Sequence, residues 1–123
     1  MATILLSIKP EYSRKIFDGT KKYEYRKRLA KRRIDKIVVY SSSPIQKVIG
    51  EVAVNGILSM NPTLLWEYTK GNAGISTDKY QEYFSGYSFA SAYELGKTTL
   101  YKAPKSLSEY GIKQPPQSFI YLD

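Results

Sequence analysis

Cysteine and histidine are both absent from this chain of 123 residues, and their absence excludes several kinds of chemistry. Without cysteine there is no disulfide framework and no thiolate nucleophile. Without either residue type there is no Cys or His zinc site and no imidazole general base. No acidic cluster with the spacing of metal ligands is visible in the sequence, so we expect no metal site and no cofactor.

Long apolar segments are also lacking. Near the start of the sequence the apolar run covers only residues 4–6 before charged residues follow, so this region resembles neither a signal peptide nor a membrane span. We therefore expect a cytoplasmic protein without membrane contact. The length is typical of one hydrophobic core, and 42% hydrophobic and 24% charged residues are typical of a globular fold, so we expect a single domain over residues 1–123.

Positive charge, by contrast, is abundant and concentrated. The formal net charge is +8, and residues 9–36 account for all of it, with twelve Lys or Arg against four acidic residues. Such clustering is typical of proteins that neutralise phosphates, because bound Lys and Arg release condensed counterions. The same pattern would also arise from a solvated basic face that maintains solubility or contacts acidic lipids.

Hydrophobic periodicity and turn residues predict the element order β-α-β-β-β-α-α-β-β. The residues 3–8, 21–28, 34–41, 47–58, 87–95 with a continuation over 98–102, and 118–122 are expected to form strands, and 10–18, about 61–70 and 77–85 helices. Gly50 and Gly56 predict a bulge or bend, and the proline-containing segment 104–117 is expected to be irregular. These elements predict an α+β fold with a curved, mostly antiparallel sheet, compatible with a small closed barrel.

The segment Gly19–Arg26, GTKKYEYR, is similar to the G-x-K-x-x-E-x-R signature of the ASCH domain family. The resemblance continues in the right order through IDKIVVYSSSPIQKVIGEVAV, LWEYTKGNAGISTDKYQEYFSG and GIKQPPQSFIYL. It implies a PUA-like fold, that is, a small, mostly antiparallel β-barrel with about three short helices. It also implies a cleft beside the signature strand that holds RNA or a single nucleobase.

Three charged residues of the signature strand are the leading site candidates. Lys21 suits a phosphate as a mobile point charge, and Arg26 offers a planar fork for a phosphate or a guanine edge. Glu24 suits an exocyclic amine as a hydrogen-bond acceptor. The structural alternative is that Glu24 and Arg26 simply pair with each other on the strand surface.

Tyrosines and a serine turn extend the candidate set. Tyr23, Tyr25 and Tyr40 offer stacking faces for bases, or else belong to the core. The hydroxyl-rich turn that begins at Ser41 suits a phosphate or a base edge, although turn chemistry alone explains it equally well. The full set of candidates for nucleic-acid contact is Lys21, Lys22, Tyr23, Glu24, Arg26, Arg28, Arg32, Arg33, Ser41 and Ser42.

The expected partner is RNA, with DNA as the alternative, and binding without catalysis is the favoured function. The family resemblance leaves two enzymatic alternatives open, a ribonuclease and an amidohydrolase that acts on acetylated cytidine, with Lys21 and Glu24 as catalytic candidates. The amidohydrolase pattern is matched only in part, because Glu24 stands where threonine is expected and residues 71–74 supply no carboxylate. A DNA-directed regulator is a third class, but no separate helix-turn-helix segment is present.

Overall fold

A computed structural model describes residues 2–122 of the chain. Its strands and helices, in chain order, are β1 (Ala2–Ile8), α1 (Pro10–Phe17), β2 (Tyr23–Arg26), β3 (Ile34–Ser41), β4 (Lys47–Met60), α2 (Pro62–Thr69), α3 (Thr77–Tyr83), β5 (Ala90–Lys105) and β6 (Phe119–Tyr121). Two short 3-10 turns, Lys70–Asn72 and Leu107–Tyr110, complete the regular structure.

All six strands form one curled sheet in the order β2-β5-β4-β3-β1-β6. The β1–β3 pair is parallel, and the other neighbours are antiparallel. The predicted α+β, PUA-like fold with mostly antiparallel pairing and short helices is therefore confirmed. The sheet is a half-barrel and not a closed ring, because β2 and β6 remain as its two edges.

Local signals explain where the helices begin. Pro10 occupies the first turn of α1, where a missing N–H costs nothing. The Asn61 side chain accepts hydrogen bonds from the first amides of α2, and the Ser76 side chain accepts one from the Lys79 amide at the start of α3. These helix starts agree with the sequence prediction.

The strands differ most from the prediction at β2 and β5, whereas the ends of β1, β4 and β6 differ by one or two residues. The segment expected over 21–28 is a strand only from Tyr23 to Arg26, because it pairs with β5 over just those residues. The segments predicted over 87–95 and 98–102 merge into one strand, β5, which begins only at Ala90, continues to Lys105 and pairs with β4 along most of its length. The predicted irregularity in β4 is confirmed by register shifts next to Gly50 and Gly56.

The core consists of three groups of buried side chains. The largest lies between α1 and the central strands and includes Ile4, Ile16 and Val39. A second, aromatic group lies under α2 and α3 and includes Tyr80. The third contains Tyr40, which is only 3% exposed. The suggestion that Tyr40 stacks on a base is therefore wrong, because its ring is enclosed by neighbouring strands.

Membrane crossing by a helix has no support in the part of the chain that the structure describes. None of the helices within residues 2–122 is long and apolar enough to cross a bilayer.

The close approach of α1 and β5 to β4 gives a first prediction. A Cβ atom at Gly50 would lie 2.5 Å from the Thr99 carbonyl oxygen and 2.7 Å from the Phe17 ring. We predict that Gly50→Ala lowers the free energy of unfolding by about 1–3 kcal/mol through overpacking, measured by urea denaturation. The matched control is Gly71→Ala, where a Cβ meets nothing within 4 Å. Equal losses in the two variants would contradict the prediction.

Candidate functional site

The end of β1, the start of α1, β2 and α3 enclose a cleft of about 580 Å³. Basic side chains outnumber acidic ones in its wall, and aromatic rings lie between them. The lining residues are Ser7, Ile8, Lys9, Tyr12, Lys21, Glu24, Tyr25, Arg26, Lys27, Ile75, Lys79, Glu82 and Tyr83.

Lys21 lies at the inner end of this cleft and is only 4% exposed. Its Nζ donates a hydrogen bond of 2.8 Å to the Ala73 carbonyl oxygen. The same atom lies 5.3 Å from the centre of the Tyr12 ring and 5.0 Å from that of Tyr25, within the range of cation–π attraction. Burial lowers the pKa of Lys21 below its ordinary value, and the nearby Glu24 carboxylate opposes part of this effect.

Gly74 allows the segment before α3 to cover Lys21. It has a φ angle of +66°, and a Cβ there would lie 2.5 Å from the Cβ of Lys21. Both the left-handed backbone and the lack of space therefore favour glycine. The Ala73 carbonyl, immediately before this turn, is the one that accepts from Lys21.

Glu24 and Arg26 form an ion pair in the wall of the cleft. The Nη2 and Nε atoms of Arg26 lie 2.9 and 3.0 Å from Oε2 of Glu24. Nη2 also donates a 3.0 Å hydrogen bond to the Ser7 carbonyl oxygen. Because Ser7 belongs to β1 and Arg26 to β2, this guanidinium joins two strands that are not neighbours in the sheet. Glu24 and Arg26 thus pair with each other, as the structural alternative predicts, and also line the cleft.

Further lysines surround the Tyr12 ring at the cleft. The Nζ atoms of Lys15 and Lys79 each lie 6.0 Å from its centre. Lys79 is also 3.6 Å from the Glu11 carboxylate, and the side chains of this pair are about half exposed. The positive charge near Tyr12 therefore comes from α1 and α3 as well as from the signature strand.

Residues 27–33 form a basic connection between β2 and β3, and tyrosine hydroxyls accept hydrogen bonds from its backbone amides. The backbone amide of Lys27 donates to the Tyr83 hydroxyl at 3.3 Å, and that of Ala30 donates to Tyr93 at 2.8 Å. The amide of Arg32 donates to the Tyr121 hydroxyl at 3.2 Å. Residues 27–33 have no regular secondary structure, so these hydroxyls replace the partners that a strand or helix would provide.

The structure brings together the leading candidates and leaves others outside the cleft. Lys21, Glu24 and Arg26 all line it. Tyr25 touches it too, but its ring is only 6% exposed and belongs to the aromatic core group, so its role in the cleft is to pack against Lys21. Tyr23 is half-buried and packs against the aromatic core group under α2 and α3. The remaining basic candidates are exposed on the surface and are not part of the cleft wall: Lys22, Arg28, Arg32 and Arg33.

The serine turn does not contribute to the cleft wall either. Ser41 is 1% exposed, and its hydroxyl lies 3.0 Å from that of Ser13. Ser42 is half-buried, and its amide donates to the Ile8 carbonyl oxygen. Ser41 is therefore oriented by packing between β3 and α1 and is inaccessible to a phosphate in this arrangement.

Several lining residues were absent from the sequence-based candidate set. Lys79, Glu82 and Tyr83 follow the i, i+3, i+4 spacing of one helix face, and this face of α3 lines the cleft. The spacing places the three residues on one helix face but does not indicate that this face lies at the cleft. Tyr12 of α1 is a further lining residue that no pattern in the sequence assigns to the site.

A metal site has no support within residues 2–122. No group of three or more acidic side chains placed to hold a metal ion occurs in this range.

The curled half-barrel sheet with three short helices places the chain in the PUA-like class of α+β folds. Within that class, the family model of the ASCH domain matches residues 6–99, and the chain belongs to this family. A crystal structure of ASCH from Zymomonas mobilis aligns with a TM-score of 0.91 and 28% identity, covering 99% of this chain and 88% of that one.

Curated relatives extend the comparison. A Zymomonas mobilis protein described as an ASCH domain-containing ribonuclease is 28% identical over 123 aligned positions, and the alignment covers 96% of this chain and 82% of that protein. An ATP synthase subunit alpha from Ureaplasma parvum is 32% identical over 121 residues, or 98% of this chain. The chain spans about 15% of the length of that Ureaplasma relative.

The buried position of Lys21 leads to a second prediction. In a pH titration of isotope-labelled lysine side chains followed by NMR, one resonance, assigned by its loss in Lys21→Arg, should titrate below the ordinary value of 10.5. Glu24→Gln should lower this pKa further, because the carboxylate that favours the charged form is removed. The control is Glu67→Gln, which alters an exposed pair with Lys70. Lysines that all titrate at or above 10.5 would contradict the assignment.

Proposed function

We propose that this chain binds single-stranded RNA in the cleft beside β2. The observation that carries the proposal is the arrangement around Lys21, in which a buried ammonium, the Glu24–Arg26 pair and two phenol rings face one basic opening. Ammonium groups suit phosphates, the carboxylate and the guanidinium suit base edges, and aromatic rings suit base faces. Membership of the ASCH family and the relative named a ribonuclease support a role with nucleic acid.

The side chains of the cleft have different roles according to their depth in it. Lys79 and Lys27 are exposed and line the mouth of the cleft, where they meet phosphates that remain partly in water. The paired carboxylate and guanidinium of Glu24 and Arg26 are deeper, where a base edge displaces water and gains fixed hydrogen-bond partners. Tyr83 lines the same cleft and offers a ring for stacking.

Binding is tested with labelled single strands of RNA and DNA of one sequence, by fluorescence anisotropy at several salt concentrations. We predict that Lys79→Ala weakens RNA binding and reduces the slope of log affinity against log salt by about 0.7, because one phosphate contact is lost. Arg26→Ala should weaken binding about 10- to 100-fold, since it also removes a charged hydrogen-bond donor.

The matched control is Lys102→Ala, which removes an exposed lysine of β5 outside the cleft. It should leave the affinity within about twofold of the unaltered chain, since a distant surface charge is largely screened. Binding that is independent of salt, or equally sensitive to Lys102 and Lys79, would contradict the proposal. Tighter binding of DNA than of RNA would contradict RNA as the ligand and support DNA instead.

RNA cleavage is a second candidate function, and the burial of Lys21 favours it. A lysine with a lowered pKa has a larger neutral fraction near neutral pH, and a neutral amine can accept a proton. In this reaction the 2′-oxygen attacks the adjacent phosphorus as its proton passes to Lys21 Nζ. The bond from phosphorus to the 5′-oxygen breaks, and a solvent water molecule in the open cleft supplies the proton for that leaving oxygen. The products are a 2′,3′-cyclic phosphate and a 5′-hydroxyl.

Cleavage is tested by incubating purified protein with labelled RNA and identifying the product ends. We predict that the rate increases with pH up to the pKa of Lys21, because only its neutral form accepts the proton. Lys21→Arg should abolish cleavage but retain RNA binding, since a guanidinium keeps its proton throughout this range. Lys15→Arg is the control, as its side chain lies near Tyr12 but outside the lining of the cleft. Cleavage that survives in both variants would indicate a contaminant.

A further inference from the structure

A second recess, of about 560 Å³, lies between α2 and α3. Four aromatic side chains contribute to its wall: Trp66, Tyr80, Phe84 and Tyr87. Trp66 is half-buried and Tyr87 is 48% exposed, so these two rings are accessible in the recess. Tyr80 and Phe84 are each 3% exposed and form its floor, with the Tyr80 ring 4.5 Å from that of Trp66 and inclined to it by 34°. Polar side chains of Asn61 and Gln81 complete the lining. Flat rings with a few amides suit a planar heterocycle with hydrogen-bonding edges, such as a nucleobase.

A short ridge connects this recess with the RNA cleft. We call Lys27, Tyr83 and Tyr87 the Lys27 ridge. The Nζ of Lys27 lies 4.7 Å from the centre of the Tyr83 ring and 4.9 Å from that of Tyr87. Lys27 and Tyr83 line the cleft, whereas Tyr87 lines the recess, so the ridge forms a common boundary of the two.

Charge on the ridge favours a nucleic-acid strand as the occupant. The Lys27 ammonium lies near both rings at the boundary, where a strand passing between the two cavities would carry a phosphate. The one acidic side chain of the recess, Glu67, is 3.0 Å from Lys70 and largely exposed, so its charge is already paired. The cleft, the Lys27 ammonium and the recess follow one another along the surface. This order matches a strand with one base in the cleft, a backbone phosphate on Lys27 and the next base in the recess.

We infer that the recess between α2 and α3 binds a second base of the RNA strand whose first base occupies the cleft, with the intervening backbone on the Lys27 ridge. The inference rests on the proposed function and specifies its ligand. The ligand is an oligoribonucleotide of several residues, and a free nucleoside fills only part of the surface.

Trp66 provides a direct signal, because it is the only tryptophan of the chain. An oligouridylate of about six nucleotides, within the site sizes known for single-strand binders, should quench Trp66 fluorescence on binding. Uridine monophosphate at saturation should leave this fluorescence nearly unchanged, since it occupies the cleft alone. Quenching of equal size by both ligands would overturn the inference.

The contribution of the recess is measured with Tyr87→Ala, which truncates the accessible ring of its lining; this ring is 48% exposed, so its loss leaves the core intact. Its affinity for the oligouridylate should decrease about 5- to 100-fold, as expected for one base–aromatic stack, and its affinity for the mononucleotide should not change. Tyr87→Phe should restore the oligonucleotide affinity, because it keeps the ring. The matched control is Tyr68→Ala, at a tyrosine that is 65% exposed and lines neither cavity.

The outcomes separate failure of this inference from failure of the proposed function. If both ligands bind through Arg26 and neither responds to Tyr87→Ala, the RNA cleft is retained and the second base site is rejected. If Arg26→Ala has no effect on either ligand, the proposed function itself is rejected, and the inference falls with it. Equal losses in Tyr87→Ala and Tyr68→Ala would also reject the second base site.

Discussion

The Arg26 guanidinium is the contact on which the architecture of the cleft depends. The curled sheet leaves β2 as an edge strand, with β5 as its only partner in the sheet among the described residues. Arg26 ties this edge to the Ser7 carbonyl of β1 and is itself neutralised by Glu24. Removing one partner of such a half-buried pair leaves the other without compensation, which is costly. The position of β2, and with it that of the preceding Lys21, therefore depends on a side chain that also faces the proposed ligand.

The buried ammonium of Lys21 is the second feature with an energetic cost. Desolvation disfavours its charged form, and the Ala73 carbonyl, two phenol rings and Glu24 offset part of that cost. Since the pKa of Lys21 is lower in the folded than in the unfolded chain, the folded state gains stability as the pH rises from the folded-state pKa to 10.5. At lower pH the buried ammonium therefore lowers the stability of the folded state relative to a lysine with the ordinary pKa.

The parts of the fold that follow from local chemistry could be predicted from the sequence. Strand β3 has the predicted bounds of 34–41, and Asn61 and Ser76 cap helices as their residue types indicate. The family signature also identified the triad of Lys21, Glu24 and Arg26 that lines the cleft.

Features that depend on contacts between distant segments could not be predicted in this way. The length of β2 is set by its pairing with β5, and Ser41 is buried because α1 presents Ser13 against it. Alternation along a strand indicates which residues share a face but not what covers that face. The contribution of Lys79 and Glu82 required knowledge that α3 packs beside β2, which periodicity within α3 alone does not contain.

The three tyrosine hydroxyls that hold residues 27–33 have a consequence for how this domain can diverge. Each anchor belongs to a different element, and each ring also packs in one of the apolar core groups. Exchange of tyrosine for phenylalanine at 83, 93 or 121 would release one segment of the basic connection and preserve the ring beneath it. The mobility of this basic segment is thereby adjustable in small steps by the loss of single oxygen atoms, with the packing of the rings preserved.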